Sequence, residues 1–162
     1  VLAVWEGGLG IWGAIVGAVI GILIYCRLNN RKILPIMDAF AVGAPVAQAI
    51  GRFGNWANGE LMGKDGQPLF AFEAGLNILL FIFLTYINKP TSSGTSGRHS
   101  PERVRGNGKL FGFYLIGYGV IRILLEGLRP NEIIWRIVEV PTAMVFGILA
   151  IVIGIFINKK AE

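Results

Sequence analysis

The residues best suited to chemistry lie in one glycine-rich stretch, residues 51–63. Its polar members are one arginine, two asparagines and one glutamate: Arg52, Asn55, Asn58 and Glu60, followed by Gly63. An arginine stays charged and forks onto phosphate oxygens, and asparagine adds neutral donors and acceptors for hydroxyl groups. The stretch lies where a long apolar segment ends, and ionisable groups at membrane depth mark a functional site by default. It predicts a site for an anion at a membrane surface.

A second set of polar side chains recurs along the apolar segment that ends at Pro130. Tyr118, Arg122, Glu126 and Arg129 fall within an arc of roughly 80° on a helix with about 100° per residue. Arg122 and Glu126 alone, at i and i+4, would be an ordinary neutralised ion pair. The second arginine leaves a positive surplus, and this surplus favours a site that needs cationic donors.

Two further carboxylates stand near the starts of other apolar segments. Glu73 shares a helix face with Asn77, and its alternative role is that of an interfacial carboxylate in headgroup water. Glu6 precedes two glycines. We expect both to lie at the same end of the molecule as the arginines, where a carboxylate can position an arginine or accept a proton.

The elements that must position these side chains are membrane helices. Only 15% of the 162 residues are charged and the mean hydropathy is +0.61, against about 25% charged residues in an average soluble protein. Apolar runs near the roughly 20 residues of a membrane span occur at 8–26, 34–51, 69–87, 109–126 and 138–157. These predict an all-α, polytopic transmembrane helix bundle of about five spans, formed as a single integral-membrane domain over residues 1–162.

The positions of the basic residues predict the membrane topology. They cluster after the first span, between the third and fourth, and after the fifth, and cytoplasmic loops are enriched in lysine and arginine. This places the C-terminus in the cytoplasm and the polar sites on the extracytoplasmic face. The net charge of +5 is therefore no sign of nucleic-acid binding. Residues 88–108, rich in serine, glycine and charge, read as a flexible cytoplasmic loop.

Several classes of function are disfavoured. One histidine and one cysteine supply no metal-ligand set, and we expect neither metal nor cofactor. His99 lies in the cytoplasmic loop, across the bilayer from the polar cluster, which argues against a role as base. A transporter or channel should carry polar groups through the full membrane depth, whereas here the cytoplasmic halves of the spans are almost bare.

The run Gly51-Arg52-Phe53-Gly54-Asn55-Trp56-Ala57-Asn58-Gly59-Glu60-x-x-Gly63 resembles the signature of the bacterial prolipoprotein diacylglyceryl transferase family. The stripe Gly117-Tyr118-Gly119-x-x-Arg122-x-x-x-Glu126-x-x-Arg129 resembles the penultimate helix of that family. The resemblance covers essentially the whole chain, in the right order.

The resemblance implies a transferase of the bacterial cytoplasmic (inner) membrane that acts in lipoprotein biosynthesis. Its partners would be phosphatidylglycerol, whose diacylglyceryl group is transferred, the lipobox cysteine of a preprolipoprotein, and membrane lipids. Arg52 and Arg122 would be the essential phosphate-binding pair, with Glu6 and Tyr118 as further catalytic candidates. The remaining site residues would line and orient the substrate pocket: Asn55, Asn58, Glu60, Gly63, Glu73, Glu126 and Arg129.

The chain also departs from the family pattern. Glu6 replaces a histidine found in many members, and Gln67 and Phe72 replace the histidine and tyrosine of a segment that ends at Glu73. The family usually has about seven spans of this length, so we expect an N-terminal truncation. The alternative function is a truncated, inactive homologue that binds phospholipid or acts as a membrane subunit.

Overall fold

In a computed structural model, the chain is described over residues 11–59, 62–88, 106–129, 136–137 and 140–161. These residues form five α-helices and one small antiparallel ladder. The helices are α1 (Ile11–Leu28), α2 (Ile33–Ala57), α3 (Leu69–Ile87), α4 (Lys109–Glu126) and α5 (Thr142–Ala161), and the strands are β1 (Arg136–Ile137) and β2 (Val140–Pro141). Glu6, Glu60 and most of the predicted 88–108 loop lie outside the described residues.

The predicted membrane helix bundle is confirmed. Among the described helices, α2, α3 and α5 are each long and apolar enough to cross a membrane. Helix α4 has 18 residues, a suitable length, but carries Lys109, Arg122 and Glu126. Large apolar side chains cover the outward faces of the helices, including Leu79, Leu124 and Phe156 at 62%, 63% and 68% exposure. Faces of this kind suit lipid rather than water.

The chain divides into two compact units, Val1–Ile33 and Leu34–Glu162. In the first unit, α1 ends in a left-handed cap. Asn30 has φ 49°, and the Arg31 N–H donates to the Cys26 carbonyl at 2.9 Å. This is the six-to-one bond of a Schellman motif, with asparagine in the position that glycine usually holds.

In the second unit, a leucine-rich core joins α3 to α4. Leu80 and Leu84 of α3 pack with Ile121 and Leu125 of α4, and the partly buried Tyr118 packs against this cluster. The buried face of α2 bears Asp38, Ala41, Pro45 and Ala49. Asp38 and Pro45 of the second predicted span therefore face protein.

Helices α4 and α5 approach closely through glycines. A Cβ atom at Gly119 would lie 2.5 Å from the Gly147 carbonyl oxygen, and one at Gly154 would lie 2.6 Å from the Gly112 carbonyl oxygen. The two glycines on each helix are seven residues apart, so they share one face. Small residues at such a seam let two backbones pack where lipid supplies no hydrophobic drive.

Candidate functional site

Arg52 is positioned by the last turns of α2. The predicted span ended at residue 51, but the helix continues to Ala57, so the glycine-rich stretch begins as helix rather than as loop. Phe53 and Trp56 point outward, at 55% and 59% exposure, while Arg52 and Asn55 are half-buried. The helical period thus separates an apolar outer face from a polar inner face within one short motif.

Glu73 is the centre of the site. It lies in the second turn of α3 and is 2% exposed. Its Oε1 atom is 3.3 Å from Arg52 Nε and 3.5 Å from Arg122 Nη1, and its Oε2 atom is 3.7 Å from Arg129 Nη2. One carboxylate therefore draws together arginines from α2, from α4 and from the turn after α4. The alternative of a carboxylate in headgroup water is wrong.

Glu126 belongs to the same cluster, and it pairs with Arg129 rather than with Arg122. Its Oε2 atom lies 3.8 Å from Arg129 Nε, three residues on, whereas Arg122 contacts Glu73. The simple i, i+4 ion pair between Arg122 and Glu126 is therefore not what the structure shows. Glu126 is 4% exposed, and Arg129 therefore contacts two buried carboxylates, those of Glu73 and Glu126.

The cluster is short of negative charge. Three arginines face two glutamates, which leaves one positive charge over. The four contacts measure 3.3 to 3.8 Å, longer than the 2.7–2.9 Å of a strong charge-assisted hydrogen bond. Among the described atoms, Arg52 Nε and Glu73 Oε1 are buried without a hydrogen-bond partner. The guanidinium donors are gathered in one place without being used up, as an anion site requires.

The electrostatics of Arg129 agree with this surplus. Arg129 lies beyond the end of α4, and burial lowers the pKa of its guanidinium from the usual value. The positive charge of Arg122 acts in the same direction, while Glu73 and Glu126 oppose it. Arginine nevertheless remains protonated in proteins. Arg129 is therefore a partly buried positive charge that a bound anion would stabilise.

A tight turn between α2 and α3 packs against the end of α4. The Gly63 N–H donates to the Gln67 carbonyl at 2.8 Å, and the Lys64 N–H donates to the Leu128 carbonyl at 3.2 Å. Gln67 Nε2 also donates to Asp65 Oδ2 at 2.8 Å. A Cβ at Gly63 would collide with Gln67 Oε1 and lie 3.2 Å from the Leu128 oxygen. Close packing therefore accounts for glycine at this position.

The other predicted site residues are less closely tied to the arginines. The ring of Tyr118 stacks on that of Tyr114 with centroids 5.9 Å apart, one turn from Arg122 along α4. Asn58 is exposed, and its backbone N–H donates to the Gly54 carbonyl at 3.1 Å. Roles for Tyr118, Asn55 and Asn58 stay predictions.

An open apolar groove runs beside the cluster, and sequence patterns gave no sign of it. Its volume is about 450 Å³, and its lining residues are Ala71, Phe72, Gly75, Leu76, Leu79, Leu125 and Leu128. Phe72, Leu125 and Leu128 each immediately precede a charged member of the cluster, Glu73, Glu126 and Arg129 respectively. The site thus combines cationic donors with a neighbouring surface suited to hydrocarbon.

Fold and site together define a class: a multi-pass membrane protein that gathers arginines beside an apolar groove at one end of its helix bundle. The family model for prolipoprotein diacylglyceryl transferase matches residues 1–158. The chain belongs to this family, and the resemblance seen in its motifs is confirmed.

Individual relatives agree with the family match. The chain is 29% identical over 175 residues to the phosphatidylglycerol--prolipoprotein diacylglyceryl transferase of Streptococcus uberis, over 95% of the chain and 62% of the relative. It is 30% identical to that of Finegoldia magna, over 99% and 64% respectively. With the Mycobacterium bovis protein the identity is 34%, over 80% of the chain and 33% of the relative. The chain therefore spans less than two thirds of the length of each.

Proposed function

We propose that this chain transfers the diacylglyceryl group of phosphatidylglycerol to the thiol of a lipobox cysteine in a preprolipoprotein. The observation that carries the proposal is the approach of Arg52 and Arg122 to one oxygen of Glu73, at 3.3 and 3.5 Å. Two arginines held this close can bind one phosphate together. Family membership and the names of the relatives support the same reaction.

The reaction is a displacement at carbon. The cysteine sulfur attacks the glycerol carbon that carries the phosphate, a C–S bond forms, and the C–O bond to the phosphate breaks. The electron pair goes to the phosphate oxygen, and glycerol phosphate leaves. Arg52 and Arg122 would stabilise the negative charge that develops there, because donors fixed in a low-dielectric site act most strongly where charge appears.

Glu73 would prepare the site for phosphate. Three guanidinium groups repel one another, and the carboxylate holds them together before substrate arrives. The phosphate would then compete for the donor atoms that point at Glu73. The thiol must also lose its proton to become a good nucleophile. Glu73 is proposed to orient the arginines, and Glu6, which lies outside the described residues, stays the candidate for accepting that proton.

The groove beside the cluster suits the acyl chains of the same lipid. It is lined by apolar side chains of α3 and the end of α4, and such a lining can be covered by an acyl chain without burying an unpaired polar group. A lipid with its phosphate on the arginines can therefore lay part of an acyl chain against Gly75 and Leu79. Phosphatidylglycerol offers both groups in one molecule.

We further propose that the arginine cluster faces the extracytoplasmic side of a bacterial cytoplasmic membrane. Lys109 begins α4, and Lys159 and Lys160 end α5. Asn107 Nδ2 donates to the Ala161 carbonyl at 2.7 Å, so these lysines lie at one end of the bundle. That is the end far from Arg122, and cytoplasmic ends are the lysine-rich ones.

A phospholipid-binding relative without transferase activity is the second candidate. Gln67 stands where the family has a histidine, and its side chain bonds to Asp65 within the turn. The chain also spans only part of its relatives. These observations favour testing catalysis and binding separately.

The test uses the full chain in lipid nanodiscs that contain phosphatidylglycerol. A lipobox peptide is added, and mass spectrometry follows the mass of its cysteine. A diacylglyceryl mass gain supports transfer, provided that Arg52→Ala abolishes it and Arg27→Ala, at the exposed end of α1, does not. Binding of phosphatidylglycerol without any mass gain would instead identify the phospholipid-binding relative.

A further inference from the structure

Asp38 joins α2 to the start of α4. Its side chain is buried, at 3% exposure, although it carries a carboxylate. Oδ2 accepts the backbone N–H of Gly108 and Oδ1 accepts that of Phe111, both at 2.8 Å. In a capping box, two side chains of the same helix satisfy these two N–H groups. Here one carboxylate from another helix accepts both bonds, at the positive end of the α4 dipole.

The start of α4 is shaped to receive this carboxylate. Gly108 has φ 92° and offers no capping side chain of its own. A Cβ at Gly106 would collide with the Asp38 carboxylate and lie 2.9 Å from Pro35 Cα. Larger residues at either position would push α4 away from α2. The contact is therefore a specific docking of one helix end onto another.

Arg52 and Arg122 lie at equal distances along their helices from the contact between Asp38 and Gly108. Arg52 lies 14 residues after Asp38 on α2, and Arg122 lies 14 residues after Gly108 on α4. At about 1.5 Å per residue, each run is about 21 Å long. Both arginines arrive at the same oxygen of Glu73. Between the ends, Gln48 Nε2 donates to the Tyr114 hydroxyl at 2.9 Å, a second tie between the same helices.

We propose that Asp38 is a positioning residue that sets the height of α4 against α2, so that Arg52 and Arg122 act on one phosphate. The phosphate in this statement rests on the proposed function; the helix register does not. Asp38 contacts neither arginine. It affects them by fixing the axial position of α4 relative to α2.

The experiment measures register and activity in the same variants. Spin labels are placed at Phe53→Cys and Leu124→Cys, both exposed positions, in a Cys26→Ser background, and pulsed electron resonance gives their separation in nanodiscs. Asp38→Asn keeps the size of the side chain but replaces one acceptor oxygen with a donor. Asp38→Ala is the second variant. Asn107→Ala is the matched control, since Asn107 Oδ1 accepts the Lys109 N–H at 3.3 Å at the same helix end.

We expect Asp38→Asn to shift the label separation by about 1.5 Å or more, the rise of one helical residue, and Asn107→Ala to leave it unchanged. In transfer assays, Asp38→Asn should raise KM for phosphatidylglycerol about tenfold, as expected for about 1.4 kcal/mol of lost binding. Partial unfolding would instead reduce the active fraction, and so kcat, with KM unchanged.

An unchanged separation in both Asp38 variants would overturn the proposal. A shift that leaves KM unchanged in an active protein would overturn it as well. If the parent chain transfers nothing, the proposed function fails on its own, and the label separations still decide the register. A shift would then support the role of Asp38, and its absence would contradict that role.

Discussion

Arg52 Nε and Arg122 Nη1 meet at the same oxygen of Glu73, at 3.3 and 3.5 Å, although they come from different helices and are 70 residues apart in the chain. Neither arginine is fully buried, at 23% and 19% exposure, while the glutamate is 2% exposed. The carboxylate therefore forms the floor of the cluster, and the guanidinium groups form the rim, which the proposed phosphate would meet first.

Replacing either rim arginine should abolish most of the transfer. Arg52→Ala and Arg122→Ala should each lower kcat about 10²- to 10³-fold, the usual effect of removing one preorganised donor from a developing negative charge. The lysine variants should recover only part of this loss, because lysine lacks the planar fork of arginine. Initial rates of peptide lipidation measure the effect.

The control for these variants is Arg27→Ala, which removes an equal charge from the exposed last turn of α1. Its rate should match that of the parent chain. Equal losses at Arg27 and Arg52 would mean that net charge matters and position does not, contrary to the proposed phosphate site.

Much of this site could be predicted because helix bounds and helix faces follow from patterns within short segments of the sequence. The apolar runs predicted α3 and α4 with the bounds that the structure shows, Leu69–Ile87 and Lys109–Glu126. Helical spacing alone put Arg122, Glu126 and Arg129 on one side. The end of α2 was placed too early, at residue 51, because glycine and polar residues look like a helix end when only composition is read.

The pairing within the site could not be predicted. Sequence spacing left an Arg122–Glu126 ion pair open as an alternative, but Arg122 contacts a carboxylate of α3, that of Glu73. Which carboxylate Arg122 contacts depends on the distance between α3 and α4. That distance follows from the leucine contacts between these two helices. The seven-residue spacing of Gly112 with Gly119, and of Gly147 with Gly154, was present in the sequence and does mark the α4–α5 seam.

That seam makes a prediction about stability. In Gly119→Ala the new Cβ would lie 2.5 Å from the Gly147 carbonyl oxygen, and a backbone atom cannot turn aside as a flexible side chain can. We expect a loss of about 1–3 kcal/mol, the usual cost of overpacking, seen as a lower midpoint of thermal unfolding in detergent.

Gly43→Ala is the matched control on α2, since no described atom lies within 4 Å of its Cβ position. Alanine is favoured over glycine within a helix by about 0.8–1.0 kcal/mol, so this variant should be unchanged or more stable. A Gly119→Ala protein as stable as Gly43→Ala would show that the two helices can separate without cost.

The groove makes a prediction about substrate affinity. Gly75 lines the groove, and no described atom lies within 4 Å of its Cβ position, so Gly75→Leu should fold while filling the space proposed for an acyl chain. The KM for phosphatidylglycerol should rise about tenfold, equivalent to about 1.4 kcal/mol of lost binding, because the new side chain would exclude part of the acyl chain.

Gly43→Leu introduces the same side chain at an open position away from the groove and should leave KM unchanged. Short-chain phosphatidylglycerol adds a second check, because it should be less sensitive to Gly75→Leu than the long-chain lipid. Equal KM values for the parent and Gly75→Leu would remove the groove from the substrate site.

Glu73→Gln should show whether a phosphate can replace the carboxylate that holds the arginines together. The change keeps the size of the side chain but leaves three guanidinium groups without their shared carboxylate. We expect the protein to lose stability. Removing one partner of a buried ion pair costs about 3–5 kcal/mol, and the partial exposure of the arginines makes the loss here smaller.

Added phosphatidylglycerol should restore much of the thermal midpoint of Glu73→Gln, because its phosphate supplies the missing negative charge. Glu126→Gln is the comparison, since that carboxylate is also buried but makes one ion pair with the described residues, to Arg129 at 3.8 Å. It should cost less stability and gain less from the lipid. If Glu73→Gln gains no more from phosphatidylglycerol than Glu126→Gln does, the phosphate does not bind where Glu73 gathers the arginines.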